Sequence, residues 1–222
     1  HYYTVPRNWR DKGSATQFDE GEYFTTIRKT LYMDELVTRH SKIMDQYDPA
    51  KRIGLIVDEW GTWYNVEPGT NPGFLFQQNT LRDAIVAAIN LNIFNNHCDR
   101  VKMANIAQLV NVLQAMILTK DEKMIVTPSY HVFEMYTVHH DAALIPINIS
   151  SEDYTYNNEK IPALNASASI DKNGKVNVSI AHINPNKNTT VTIEIRGKKV
   201  SKIVSARILT SAKINDHNTF DN

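Results

Sequence analysis

Apolar residues at Phe24, Ile27 and Leu31, continued less regularly by Leu36, Val37, Ile43, Met44 and Tyr47, lie on one stripe of a helix. The pattern starts near Gly21 and stops at Asp48-Pro49, where proline ends the period. The next run, RIGLIVD at 52–58, has no polar alternation. That is how a short strand buried on both faces reads, and such strands belong mainly to parallel sheets. A loop with Pro68, Gly69, Pro72 and Gly73 leads to Thr80 and Asp83, which predict a helix start. LRDAIVAAINLNIF behind them is apolar around most of its circumference, so this helix should pack on several sides. VKMANIA at 101–107 is a second short strand, followed by AQLVNVLQAMIL, and HVFEMYTVHH predicts a further helix. Helix, strand, long loop, helix and strand form the rhythm of a β/α architecture with crossover connections.

Near Ala142 the period changes from helical to alternating. AALIPINIS, ALNASASI, KVNVSIAHI, NTTVTIEIR and VSKIVSARILT are short and rich in β-branched residues, with Val176, Val178, Ile180 and Val191, Ile193, Ile195 in alternation. Asp171-Lys172-Asn173-Gly174 supplies a hairpin turn, since Asn-Gly tolerates the positive φ of a tight turn. The fold class expected is therefore α/β plus all-β: a β/α portion over 1–141, then an antiparallel β-sandwich over 142–222. Residues 1–19 carry no period and read as loop.

Composition narrows the partners. The chain of 222 residues holds one large domain or two ordinary ones, and Lys plus Arg equals Asp plus Glu at 24 each. No basic stripe with interleaved aromatics argues for nucleic acid or an anionic membrane surface, and no run is long enough to span a membrane. A neutral substrate fits better. The single cysteine, Cys98, has no partner for an internal disulfide. The chain opens on His1-Tyr2-Tyr3-Thr4 without methionine or leader, which reads as part of something longer, with further sequence expected upstream.

The chemistry concentrates in LIVDEWGTWY, residues 55–64, where an aliphatic run ends on Asp58 and Glu59 among Trp60, Trp63 and Tyr64. A carboxylate placed next to a buried strand needs a partner or a use. Glu59 stands where a parallel strand should end, the place from which β/α barrels present their reacting groups. The competing reading is a carboxylate that caps the next loop or pairs with Arg52 or Arg100. The tryptophans admit two accounts as well, sugar-stacking surface or plain core. Asp58 should point to the opposite face from Glu59, because side chains alternate along a strand. Glu20, Glu22 and Glu67 read as solvated.

Three motifs in order, HYYT at the start, DEWGTWY and HCDRVKMANIAQLVNVLQAMI, resemble the C-terminal part of the α-L-arabinofuranosidases of glycoside hydrolase family 51. The likeness runs from His1 to about Thr137 and is strongest over 97–113; beyond that it is one of architecture. The resemblance implies the C-terminal part of a (β/α)8 barrel followed by a sandwich, and a retaining, exo-acting hydrolase of arabinose-containing oligosaccharides. It makes Glu59 the nucleophile, with the acid/base glutamate upstream of His1. It also assigns His1, Tyr3, Trp63 and Gln108 to substrate binding, Tyr3 donating its hydroxyl to the nucleophile. For His1, Gln108 and Trp63 a bland account stands beside it: a terminal residue, a solvent-facing residue and core packing, respectively. No metal or organic cofactor is implied, homo-oligomers are common in the family, and a cytoplasmic location follows by resemblance, with periplasmic or secreted ones open.

Other chemistry is thinly supported. His139 and His140 are adjacent on the expected helix and point about 100° apart, poor metal geometry; with His131 they read as surface or packing residues. No HExxH, CxxC pair, phosphate-binding glycine loop or GxSxG is present. The rival functions are another retaining barrel glycosidase, such as an endoglucanase or xylosidase, and a non-catalytic carbohydrate-binding module formed by the sandwich.

Overall fold

In the computed structural model, which describes residues 1–197 and 202–221, three parallel strands carry the first half of the chain. They are β1 (Tyr2–Thr4), β2 (Leu55–Thr62) and β3 (Val101–Ile106), in that spatial order. Helix α1 (Glu20–Tyr47) connects β1 to β2, and α2 (Leu81–Asn96) connects β2 to β3. Asp19 caps α1 by accepting the Glu22 N–H at 2.8 Å, and Glu20 and Glu22 favour its positive end. Thr80 and Asp83 form a reciprocal capping box on α2, as the sequence predicts.

Parallel pairing and the crossover helices agree with the β/α reading. The differences are local. The second strand starts at Leu55 and continues through the acidic pair to Thr62, rather than ending at Asp58. It is not buried on both faces: Ile56 is 47% exposed and, on the neighbouring strand, Met103 is 54% exposed. The helix stripe also fades, since Ile43 and Tyr47 at the end of α1 face outward. Residues 1–19 are not all loop, because Tyr2–Thr4 pairs with Trp60–Thr62.

After β3 the chain is irregular up to the hairpin of β4 (Ile117–Lys120) and β5 (Lys123–Val126). Helix α3 (Pro128–Tyr136) follows, prolonged by one 3-10 turn to His139. The antiparallel part comprises β6 (Ala143–Ile145), β9 (Leu164–Ile170) and β10 (Val176–His182) in one sheet, with the hairpin β7 (Asp153–Tyr156) and β8 (Glu159–Pro162) beside it. The β9–β10 turn forms where expected: Gly174 N–H donates to Asp171 O at 3.0 Å, with φ +76° at Gly174.

Two expected strands are absent from the described residues. The stretch NTTVTIEIR is irregular, with Val191 and Ile193 exposed, and the described part of VSKIVSARILT leaves Ile203, Val204 and Ile208 in solvent; Val200 and Ser201 lie outside the described residues. β-propensity expresses itself only where a neighbouring strand supplies hydrogen bonds and side-chain contacts.

One core runs through both halves. Trp60 of β2, fully buried, stacks on Phe133 at 6.1 Å and meets Phe94 edge-on at 5.5 Å. Around it gather Tyr23, Phe24 and Ile27 of α1, Val86 and Ile89 of α2, and, from beyond residue 141, Tyr154, Ile161 and Ile183. Tyr23 donates its hydroxyl to Ile183 O at 2.7 Å, and Tyr154 donates to Glu20 at 2.8 Å. The second face of α2 docks on β9 through amides: Asn92 Nδ2 reaches Asn165 O, Asn95 Nδ2 reaches Ser167 Oγ, and Asn96 Nδ2 reaches Ala166 O, at 3.0–3.2 Å.

Candidate active site

Glu59 sits on a break in the ladder. Between the pairs Val57↔Ala104 and Trp60↔Ile106, two residues of β2, Asp58 and Glu59, oppose the single Asn105 of β3. Such a bulge bends the strand and re-aims side chains, so strict alternation does not govern the acidic pair. The ladder recovers at Trp60, held by Ala107 N–H donating to Trp60 O at 2.8 Å. Gly61 permits the close approach: a Cβ there would lie 3.2 Å from Ala107 O.

Glu59 is half-buried, and its carboxylate acts on the phenol of Tyr3. Burial, then the hydrogen bond and the charge of Glu59, with Asp58 adding a smaller contribution, push the Tyr3 phenol well above its ordinary range, so it remains a donor. Asp58 is exposed and lies 3.3 Å from the main-chain nitrogen of His1. Among the described residues, the expected ion pair of Glu59 with Arg52 or Arg100 does not form. Arg100, almost fully buried, donates to Asp48 Oδ2 at 2.9 Å and to Asp45, while Arg52 approaches Asp48. The Ile53 N–H first, and Arg100 after it, hold the Asp48 carboxyl below the usual range against its burial. Glu20, Glu22 and Glu67 are likewise not simply solvated: they accept from Tyr154, Arg7 and Gln78 N–H respectively.

Of the other residues singled out in the sequence, Trp63 packs edge-on against Tyr3 at 5.1 Å. The His1 ring is exposed and 6.4 Å from that of Tyr3. Gln108 stands two residues beyond the end of β3 and is exposed. The Ala107–Gln108 peptide is cis, and the Gln108 N–H donates to Val112 O at 3.1 Å. Tyr3, Ala107 and Leu113, with Trp63, Leu75 and Val112 against them, form a small apolar cluster at this end of the sheet. Glu59, Tyr3 and Trp63 are thus brought together, Gln108 extends from the same cluster, and His1 stands at the rim. A groove of about 400 Å³ lies elsewhere, between Arg7, Arg28, Tyr156 and Glu159.

Sequence reasoning missed the support behind the site. Gln114 is fully buried: its Oε1 accepts the Thr62 N–H at 3.0 Å, and its Nε2 donates to Asp83 O at 2.8 Å and Ser129 Oγ at 3.1 Å. Asp83 in turn accepts from Thr62 and Tyr64 hydroxyls at 2.7 and 2.8 Å. A glutamine inside the apolar run VLQAMI was the available signal, because a buried amide requires partners. Trp9, also missed, stands perpendicular to Trp63 at 5.7 Å.

Fold and site together define a β/α module joined to antiparallel sheets, with a carboxylate and aromatic rings at the end of the parallel strands. The family described as alpha-L-arabinofuranosidase C-terminal domain matches residues 58–222, and the chain belongs to it. It is 46% identical, over its whole length, to an intracellular exo-alpha-L-arabinofuranosidase of Bacteroides ovatus, of which it covers 43%. A crystal structure of the GH51 arabinofuranosidase from Xanthomonas axonopodis pv. citri superposes with TM-score 0.82 at 52% identity, over 84% of this chain and 38% of that one. An arabinose complex of the Thermotoga maritima alpha-L-arabinofuranosidase is more distant, at 28% identity and TM-score 0.57 over 73% and 36%. The chain therefore spans less than half the length of these relatives.

Proposed function

We propose that this chain is the part of a retaining, exo-acting α-L-arabinofuranosidase that supplies the nucleophile. The observation that carries the reading is Glu59 half-buried at a bulge of β2, its charge acting on the Tyr3 phenol that packs against Trp63, with Arg52 and Arg100 engaged by other carboxylates. The Glu59 carboxylate attacks the anomeric carbon of a terminal arabinofuranose as the glycosidic C–O bond breaks, forming a glycosyl ester. The leaving oxygen takes a proton from a carboxylic acid outside residues 1–222. Water, deprotonated by that same group, then releases arabinose and regenerates Glu59. His1, Gln108 and Trp63 surround the sugar: an imidazole, an amide that both donates and accepts, and an indole face.

The substrates in this reading are arabinan or arabinoxylan oligosaccharides. The boundary near residue 141, homo-oligomeric assembly and a cytoplasmic location belong to the same reading; the last is supported by the word intracellular in the names of the Bacteroides ovatus and Bifidobacterium longum relatives. The test is hydrolysis of aryl α-L-arabinofuranoside, β-xyloside and β-glucoside by the full-length protein. Turnover of the furanoside is expected, and turnover of a pyranoside alone overturns the assignment in favour of another barrel glycosidase.

A further inference from the structure

The aromatic cluster at Glu59 does not stop at Trp63. Tyr3 is nearly buried, Trp63 is half-buried, and Trp9 is 61% exposed, each ring meeting the next at 5.1 and 5.7 Å. The Trp9 and Trp63 planes stand at 85°, so they form a corner, one wall of which, the Trp9 ring, is exposed to solvent. Lys12 closes the corner: its ammonium lies 5.6 Å over the Trp63 ring and donates to Trp9 O at 3.1 Å.

The loop that carries Trp9 is fixed from several directions. Asn8 Oδ1 accepts the Arg10 and Asp11 N–H groups at 2.9 and 3.0 Å, and Asn8 N–H donates to Asp11 O at 3.1 Å. Arg7 binds Asp11 at 2.7 Å and Glu22 of α1 at 2.6 Å. Asn65, just beyond Trp63, accepts from Lys12 N–H at 3.1 Å and donates to Asp11 at 2.8 Å. A large apolar ring left open to water on a loop pinned this way loses little further freedom when something stacks on it.

We propose that Trp9 is the stacking platform for the sugar on the leaving side of the scissile bond, and so sets the preference for oligosaccharide over simple glycosides. The inference rests on the reading of Glu59 as the nucleophile. Tyr3 and Trp63 bound the reacting sugar, and the corner between Trp63 and Trp9 receives the next residue as a neutral ring. The apolar face of that ring lies on indole, and a hydroxyl lies within reach of Lys12.

The test compares kcat/KM of full-length wild type, Trp9→Ala and Trp9→Tyr on an arabinofuranosyl trisaccharide and on methyl α-L-arabinofuranoside, whose leaving group carries no ring. Trp9→Ala is expected to lose about tenfold more on the trisaccharide than on the methyl glycoside, chiefly through KM. Trp9→Tyr, which keeps a flat ring, should recover most of the difference and keeps the test valid if the alanine variant folds poorly. Equal losses on both substrates, or none on either, overturn the platform while leaving Glu59 in its role. If wild type cleaves neither furanoside, the reading of the site fails, and the platform with it.

Discussion

The phenol of Tyr3 faces the carboxylate of Glu59 across two parallel strands, and that charge helps to keep the phenol protonated. The register makes this possible: Tyr3 lies opposite Gly61, while the bulge at Asp58-Glu59 turns the carboxylate out of the regular ladder. Tyr3→Phe removes the donor and keeps the ring against Trp63. A hydrogen bond to a charged group contributes about 1.5–3 kcal/mol, so kcat/KM should fall roughly 10–100-fold with little change in stability. Because burial and Glu59 raise the phenol, Tyr3 stays protonated above pH 10, and the alkaline limb of the pH–rate profile should not move in the variant. A limb that shifts would mean that Tyr3 itself titrates in the working range.

Removing the carboxylate itself is the more severe change. Glu59→Ala in the full-length enzyme should lower turnover on the order of a thousandfold or more. Azide fits the space left and should restore product formation as the glycosyl azide of inverted configuration. Substantial residual hydrolysis, or a mechanism-based inhibitor that labels another position, would remove Glu59 from the proposed role.

Gln114 supports the site without touching it. Gln114→Leu keeps approximate volume but leaves the buried Thr62 N–H and Asp83 O without their partners. The expected cost is about 2–3 kcal/mol in denaturant unfolding. A change below about 0.5 kcal/mol would show that water replaces the amide.

A pH effect is expected far from Glu59. His139 bridges Ser169 Oγ of β9 at 2.7 Å and Ser179 Oγ of β10 at 2.8 Å, and burial first, then the neighbouring His140, lowers its pKa. The folded state therefore binds its proton less readily than the unfolded chain does, so this contribution to stability is present above the unfolded value near 6.5 and is lost as pH falls through the folded value. Urea midpoints of wild type should drop between pH 7.5 and pH 5.5 more than those of His139→Gln; parallel drops would assign the effect to other groups.

How far the sequence revealed these features depends on the range of the interactions involved. Glu59 stood out because two acids and three aromatics at the end of an aliphatic run form a local anomaly. The helix start at Thr80 and Asp83 and the Asp171–Gly174 turn were equally visible, each settled within a few residues, whereas the cap at Asp19 went unread. The bulge was hidden, because it is a relation between two strands. So was the Arg100–Asp48 pair, whose members are far apart in sequence and meet only after α2 has crossed over. The β7–β8 hairpin had a local sign that went unread: Asn157 and Asn158 both take positive φ, as a two-residue turn demands. Conversely, Val191, Ile193 and Ile195 alternate as a strand would and yet form none, because alternation records a preference for pairing and says nothing of whether a neighbour is there.

The shared core sets a limit on modular engineering. Ile161, Ile183 and Tyr154 share one core with residues of α1 and α2, and three asparagines of α2 are satisfied by β9. A chimera that exchanges the region after residue 141 for a foreign β-unit must therefore import a matching row of acceptors and the same hydrophobic plug. Without them the graft would strip the β/α half of its outer wall and loosen the helices behind Glu59, well away from the splice point.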